Sequence, residues 1–287
     1  METTTKLRTG AGWTVRRNYA KWLLNGWLLA MSALMVVPFV WMILSAFKPA
    51  SELLRPIPNF FPEAWTLRSF SRIFVLFPFQ RFFLNSFIVT TATVAIILFT
   101  SSLLGFVFGK FRFPGSRVLF LLIISSMIIP FEVRVIPMFL IIRGLNWVNT
   151  YQALIVPFIV DAFGVYLFRE FIRTIPSDYL DAARIDGASE WRIYQRVVLP
   201  LTTSVMSALA IFAFVYYWDM LIWPLVAVSS QEMKTLPVGM LLLTNQRGGI
   251  YDLLLAAGLL GVVPNLIMFL IFQRQIVKGV ILAGLKG

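Results

Sequence analysis

The run from Trp22 to Phe47 constrains the fold more than any other feature, because it contains no charged residue from end to end. An α-helix rises ~1.5 Å per residue, so roughly 20 apolar residues cross a ~30 Å hydrocarbon layer, and this run is long enough to do so alone. Comparable stretches recur along the chain. Together they raise the apolar share to 59% of 287 residues, while charged residues fall to 13%. A soluble core does not hide that much apolar surface. The bilayer is therefore the solvent, and the expected fold class is all-α: a polytopic membrane protein with about six spanning helices.

Apolar length rather than periodicity locates these helices, since a helix that is apolar all round carries no amphipathic signal. The first span covers about Trp22 to Phe47 and is ended by Lys48-Pro49; a loop punctuated by Pro56, Pro58 and Pro62 then runs to about Gln80. The second covers about Asn85 to Gly109, before a basic turn at Lys110, Arg112 and Arg117. The third begins near Val118, meets Pro130 and Pro137, and fades by Ile142; the fourth runs from about Tyr151 to Phe168. A charged segment, Arg169 to Arg196, precedes the fifth span at about Thr203 to Val228, and the last covers about Leu253 to Phe272. The expected organisation is an N-terminal segment 1–21, one membrane domain 22–272 that includes a charged loop 169–202, and a basic tail 273–287.

Charge sets the orientation. Sixteen Lys and Arg residues fall in the N-terminal segment, the Lys110–Arg117 turn, the Arg169–Arg196 segment and the tail, against eight in the opposite set of loops. The richer set faces the cytoplasm by the positive-inside rule, which puts both termini inside. The same rule accounts for the net charge of +12 without nucleic acid, because the basic residues rim the spans beside membrane lipid. The first span is about twice the ~7–15 residues of a signal-peptide apolar region, and it reads as a retained helix. Cysteine and histidine are both missing from the sequence, which excludes disulfides, thiol catalysis, Cys/His metal sites and imidazole acid-base chemistry.

The charged loop is the one segment with a distinctive pattern. Pro176-Ser177 and Asp178 form a helix start, Gly187 interrupts the helix, and a second short helix is expected over Glu190 to Val198 until Leu199-Pro200 stops it. The order Asp181-Ala182-Ala183, then three residues and Gly187, then nine residues and Val197-Val198-Leu199-Pro200 resembles the acidic-Ala-Ala signature of ABC importer permeases. Asp181 stands where that family usually has Glu, one methylene longer. Trp218-Asp219, Trp223-Pro224-Leu225 and the ending from Gln273-Arg274 through Gly279 to Ala283-Gly284 are similar to its carbohydrate-uptake branch, with maltose and glycerol-3-phosphate permeases as its types.

The resemblance implies an ATPase-coupling loop built on Asp181, Ala182, Ala183, Asp186, Gly187, Leu199 and Pro200. Trp191, Ile193 and Tyr194 would be its apolar anchors, and Asp181, Arg184 and Asp186 would pair across the contact. It also implies two cytoplasmic ATPase subunits that hold ATP and Mg, a second homologous permease, an extracytoplasmic solute-binding protein, and a bacterial inner-membrane location. The tail from Gly279 to Gly287 either reaches the ATPases or ends as a frayed basic terminus. No cofactor, metal or ATPase site is expected in this chain. Gly105-Phe-Val-Phe-Gly109-Lys110 lacks the G-x-x-x-x-G-K-[ST] phosphate cradle and reads instead as a small-xxx-small helix contact.

Ionisable groups inside spans cost roughly 2.5–3.5 kcal/mol each, so Glu132, Arg134, Asp161 and Asp219 are the candidate pathway residues. Counted along straight helices, Glu132, Arg134 and Asp219 fall in the outer half and Asp161 near the midplane. A local Glu132–Arg134 ion pair is the simpler account of those two. Trp218, Tyr216, Tyr217 and Trp223 either stack on a sugar or form the interfacial aromatic belt. The expected solute is a sugar or sugar-like compound, with glycerol-3-phosphate as a non-sugar alternative. Two other classes compete: an ion-gradient-driven transporter, for which Asp161 is the only midplane candidate, and an intramembrane enzyme, for which no nucleophile-base pair is evident.

Overall fold

A computed structural model describes the backbone of residues 11–57, 59–244 and 251–284, and the side chains of 21–57, 59–244 and 251–273. Lys6, Arg8, Pro58, Arg247 and the tail side chains from Arg274 onward lie outside the described residues. The chain is helical, with no strand among the described residues. Helix α1 (Ala11–Ala46) is followed by α2 (Ala50–Leu53), α3 (Arg68–Leu76) and α4 (Phe79–Lys110). Next come α5 (Ser116–Ser125), α6 (Phe131–Gly144), α7 (Tyr151–Ile155) and α8 (Ala162–Thr174). The charged loop forms α9 (Ser177–Ile185), α10 (Glu190–Ile193), a π-helical turn and α11 (Leu199–Leu201), and the chain ends with α12 (Thr203–Trp218), α13 (Ile222–Ala227), α14 (Leu236–Thr244) and α15 (Tyr251–Gly284).

Three stretches are long and apolar enough to cross a membrane unaided: Lys21–Ala46, Phe79–Lys110 and Tyr251–Gln273. Two bent pairs raise the number to five, the segment 151–158 with α8 at 40° and the segment 190–201 with α12 at 76°. The expected third span is not one helix. It divides into α5, only ten residues long, and α6, with the break at Ser126–Pro130. Pro130 sits at the N-cap of α6, where its missing N–H is not needed, while Pro137 lies inside the helix. The fifth span is also shorter than expected: α12 ends at Trp218, and residues 222–227 form the separate α13.

Helix α4 is the axis of the packing. Its inward face runs from Phe79 and Phe82 through Val94 and Ile97 to Gly105 and Phe106, and it joins three apolar clusters in turn. One cluster carries α3, α12, α14 and α15, with Ile73, Phe214, Trp218, Leu236 and Leu253 at its centre. A second gathers α6, α7 and α13 around Val135, Leu154, Phe158 and Trp223. The third binds α8 and the charged loop. Gly105 and Gly109 both face α8, and a Cβ at Gly105 would meet Phe168 Cβ at 2.5 Å, so the two glycines do make the close small-xxx-small helix contact. Polar residues at this depth turn to the backbone: Thr100 Oγ1 donates to the Ile96 carbonyl at 2.9 Å and the Ile159 carbonyl at 2.6 Å.

The loop after α1 is also ordered by buried charge. Lys48 is 1% exposed, donates to the Asn59 carbonyl, and lies 4.0 Å from the buried Glu52, whose carboxylate in turn accepts the Glu63 amide. At the far end, Asp252 in the first turn of α15 accepts from Ser69 and Arg72, each at 3.0 Å, which ties the short α3 to the last long helix.

Candidate functional site

The charged loop folds into a bent knob whose geometry follows from its residues. Leu180 and Ala183 turn one face of α9 toward the core. The helix ends in a Schellman motif: the Gly187 N–H donates to the Arg184 carbonyl and the Ala188 N–H to the Ala183 carbonyl, both at 3.0 Å. That closure needs a left-handed residue, which Gly187 provides at φ +78°. Ser189 Oγ then accepts the Arg192 N–H and caps α10. Arg184 braces the bend from within, donating to Asp181 at 2.7 Å and to Glu190 at 2.8 Å, and these carboxylates, Glu190 first, raise its pKa above the usual guanidinium value. The expected pairing of Asp181 and Arg184 across a contact is thus already taken up inside the knob, while Asp186 is exposed.

Leu199-Pro200 does not stop the second short helix. The π-helical turn at Tyr194–Val198 places Pro200 in a first-turn position, where no backbone donor is required, and the chain continues to Leu201 before bending into α12. The expected anchors also divide. Ile193 and Tyr194 are 0% and 2% exposed and belong to the core, and only Trp191 faces out. The other outward apolar residues are Tyr179 and Ile185, the latter 87% exposed. Taking Leu180 and Ala183 as the inward stripe of a 3.6-residue period puts Ile185 on the outer face, a signal that was available in the sequence.

The knob is joined to the membrane helices by a tight cluster. Leu180, Ile193, Tyr194 and Val198 pack against Ile97, Phe106, Phe168 and Ile172. The Tyr194 ring stacks on Phe106 at 5.8 Å, its hydroxyl meets Ser102 Oγ at 2.8 Å, and Lys110 Nζ reaches the Ile175 carbonyl at the entry to α9. A densely packed core transmits displacement rather than absorbing it, so a push on the knob reaches α4 and α8.

A second feature lies at the breaks in the spans. A cavity of about 500 Å³ opens between the start of α6, the 158–162 bend and α12, and Arg134, Asp161, Phe131, Phe158, Tyr216 and Tyr217 line it. Asp161 caps α8, its Oδ1 accepting the Gly164 N–H at 2.6 Å. Arg134 has no hydrogen-bond or ion-pair partner among the described residues, and its Nε is buried. The expected Glu132–Arg134 ion pair is not formed; Glu132 is exposed in the first turn of α6, outside the cavity lining, where it complements the helix dipole. Asp219 also lies outside the lining and accepts from Asn265 at 3.3 Å. The count to Glu132 and Arg134 along a straight third helix does not hold, because that span breaks at Ser126–Pro130, whereas Asp219 is the C-cap of an unbroken α12 that starts at Thr203.

Trp218 and Trp223 are neither a sugar platform nor an interfacial belt. Both are buried, and they donate to the Gly261 and Ala153 carbonyls, each at 2.9 Å. Among the four aromatic residues considered, Tyr216 and Tyr217 alone line the cavity, and the Tyr216 ring is more than half exposed.

Residues 101–280 match the family described as binding-protein-dependent transport system inner membrane component. The arabinooligosaccharides transport system permease protein AraQ of Halalkalibacterium halodurans is 36% identical over 269 residues, which cover 93% of this chain and 96% of that protein. A solved bacterial ABC transporter involved in import of the acidic polysaccharide alginate has the same fold, with a TM-score of 0.79 at 20% identity over 94% of this chain and 99% of that one. The alginate transporter in complex with its alginate-pentasaccharide-bound periplasmic protein aligns at a TM-score of 0.67 and 15% identity, over 90% and 95% of the two chains. The bent knob, the broken spans around a cavity and these similarities converge on one assignment: the chain belongs to the family of inner membrane components of binding-protein-dependent transport systems.

Proposed function

We propose that this protein forms half of the translocation path of an ATP-driven importer for a sugar or sugar-like solute. Membership of the transport family supports the importer reading, and the carbohydrate named for its relatives supports the solute class. In this reading a solute-binding protein delivers cargo from outside, a second homologous permease completes the path, and two cytoplasmic ATPases bind ATP and Mg. In this reading ATP is hydrolysed by those partners and not by this chain. We read α5 and α6 together as the sixth crossing, which leaves both termini in the cytoplasm, in keeping with the basic loops.

The observation that carries the mechanism is the knob's two-sided construction. Its inner face is fused to α4 and α8, while its outer face presents Tyr179, Ile185 and Trp191 beside Asp181, Ala182, Asp186 and Gly187. Such a surface seats in a groove, and Leu199-Pro200 carries the resulting push into the 76° bend before α12. ATPase closure then rocks the permease pair from outward-facing to inward-facing.

Gly187 gives the test. Open space surrounds its Cβ position, so bulk there meets only a docked partner. Gly187→Trp strains the turn by about 1 kcal/mol yet should leave membrane insertion intact. ATP-dependent uptake in vesicles containing the complete importer should fall at least about tenfold, the effect of ~1.4 kcal/mol at an interface. Normal uptake by this variant, or uptake driven by a proton or sodium gradient without ATP, refutes the coupling role.

A further inference from the structure

Helix α5 is attached to the rest of the chain in an unusual way. None of its ten residues is buried among the described residues, and Val118, Leu119, Leu121 and Leu122 are each about half exposed or more. Its half-buried residues Phe120, Ile123 and Ile124 lie three and four apart and so share one face. Both ends rest on turns: Gly115, at φ +81° with open space around its Cβ position, precedes α5, and the break at Ser126–Pro130 follows it. At that break Ser126 and Met127 line the cavity. A helix flanked by two turns and buried nowhere moves with the core only where something fastens it.

Arg169 supplies that fastening. Its backbone sits in the tight crossing of α4 and α8, where a Cβ on Gly105 would lie 2.9 Å from the Arg169 amide nitrogen. Its Nε donates to the Phe108 carbonyl at 3.3 Å, which falls among the last four carbonyls of α4 that the helix itself leaves free. Nη1 donates to Glu170, and Cζ lies 4.1 Å from the Phe120 ring centroid, well inside the ~6 Å reach of a cation–π attraction. Phe120 also packs on Phe108, with ring centroids 5.7 Å apart. Three residues further along α8, Ile172 belongs to the cluster that holds the knob. One side chain thus joins α4, α5 and α8 within a turn of the surface on which the knob is seated.

We infer that Arg169 is a positioning residue for coupling: it fastens α5 to α8 through the face of Phe120, so that displacement of the knob reaches the cavity wall at Ser126 and Met127. This rests on the import reading and adds a route that the reading leaves open. The type of contact suits the role. Helix α5 buries too little apolar surface to be held by packing, and a cation–π attraction strengthens where water is partly excluded; the Arg169 side chain is 23% exposed. A planar guanidinium can stack on the ring and still donate in its own plane to Phe108 and Glu170, which an ammonium cannot do at once.

The sequence has no cysteine, so two spin labels can be placed cleanly, at Ser125→Cys on α5 and Thr174→Cys at the end of α8, both exposed. The distance between them is read by double electron–electron resonance in the complete importer, assembled with cysteine-free partner subunits in nanodiscs, with and without ADP–vanadate. Unlabelled importer in vesicles gives ATP hydrolysis and ATP-dependent uptake of trisaccharides of arabinose and of glucose. Wild type should keep one narrow distance in both states, because α5 follows α8. Phe120→Leu keeps an apolar side chain on a helix with no buried residue; it should broaden that distance and lower the sugar taken up per ATP hydrolysed about fivefold. Phe120→Trp, a stronger cation–π partner, should keep both at their wild-type values. Arg169→Gln should match Phe120→Leu, and the two together should lower the ratio no further, since both remove one contact. A wild-type distance that changes on adding ADP–vanadate, a Phe120→Leu ratio equal to wild type even with a lowered thermal midpoint, or losses that multiply in the double variant overturn the inference. Absence of ATP-dependent uptake by wild type with every partner present overturns the import reading, and the spin-label distances then still decide whether Arg169 fastens α5.

Discussion

Helices α1 and α4 are nearly equal in length and hydropathy, yet they have opposite surroundings. Only 6% of the most apolar window of α1 is buried against the rest of the chain, compared with 39% for α4. Trp22, Leu23, Leu29 and Met35 stand out from α1, each more than two-thirds exposed, whereas α4 threads three apolar clusters and the knob. The difference lies in small and polar residues. Helix α4 carries Asn85, Ser86, Thr90, Thr93, Ser101, Ser102 and Gly105 along its buried face, and these allow close approach and hydrogen bonding between helices. In the described part of α1 the large side chains Trp22, Leu23, Leu29 and Met35 stand free of the rest of the chain, and lipid solvates them as well as protein does.

The contrast makes three graded expectations. The largest concerns the crossing of α4 and α8: Gly105→Leu forces its Cβ into Phe168 and to 2.9 Å from the Arg169 amide nitrogen. It should cost about 3 kcal/mol and lower the thermal midpoint of the purified protein in detergent. A midpoint equal to wild type would show that the two helices separate without penalty, which the contrast with α1 forbids.

A middle-sized effect belongs to the link between knob and membrane. Tyr194→Phe removes the hydroxyl that meets Ser102 Oγ at 2.8 Å, leaving Ser102 only its bond to the Phe99 carbonyl, and should destabilise the protein by about 1 kcal/mol. In a double-mutant cycle, Ser102→Ala should add little once the Tyr194 hydroxyl is gone. Full additivity would mean that the two groups do not act on one another. Because this bond sits between the proposed coupling surface and α4, slower uptake per ATP hydrolysed should accompany the loss of stability.

The smallest effect is expected in α1. Leu23→Ala removes a side chain that is 76% exposed and should change the midpoint of the isolated chain by no more than the equivalent of about 0.5 kcal/mol. A larger loss would place α1 against protein rather than lipid and would remove the contrast with α4.

Much of this architecture was legible because membrane insertion is a local, additive property. The run ending at Phe47 and the apolar stretch before Phe272 correspond to α1 and α15 to within a few residues, apart from helical extensions into the flanks. Helix α4 begins at Phe79, six residues before its expected start, because Gln80 and Arg81 look like loop while Phe79 and Phe82 are already buried. The knob was legible for a different reason. Gly187 and the start at Pro176-Ser177 act through backbone rules that operate within a few residues, whereas Leu199-Pro200 looked like a stop and is carried inside the helix by the π-helical turn before it. Ile193 and Tyr194 were misplaced because facing outward or inward depends on what the segment lies against, and that surface is formed by Ile97 and Phe106, some 90 residues earlier in the chain.

Pro130 marks a place for the break at Ser126–Pro130, whereas hydropathy alone hides the break after Trp218. Met127, Ile128 and Leu221 are as apolar as the helices around them, so a hydropathy sum passes over them, and irregular backbone at such depth becomes tolerable only where it lines a cavity or is covered by protein. The sequence by itself determined the solvent, the helical class, the basic side and the bent loop, all set by composition or by neighbours within a turn or two. Tertiary structure decided which charges share a space. Arg134 and Asp161 meet in one cavity while Glu132 and Asp219 do not, because only packing fixes where each broken helix ends and which face it turns to the next.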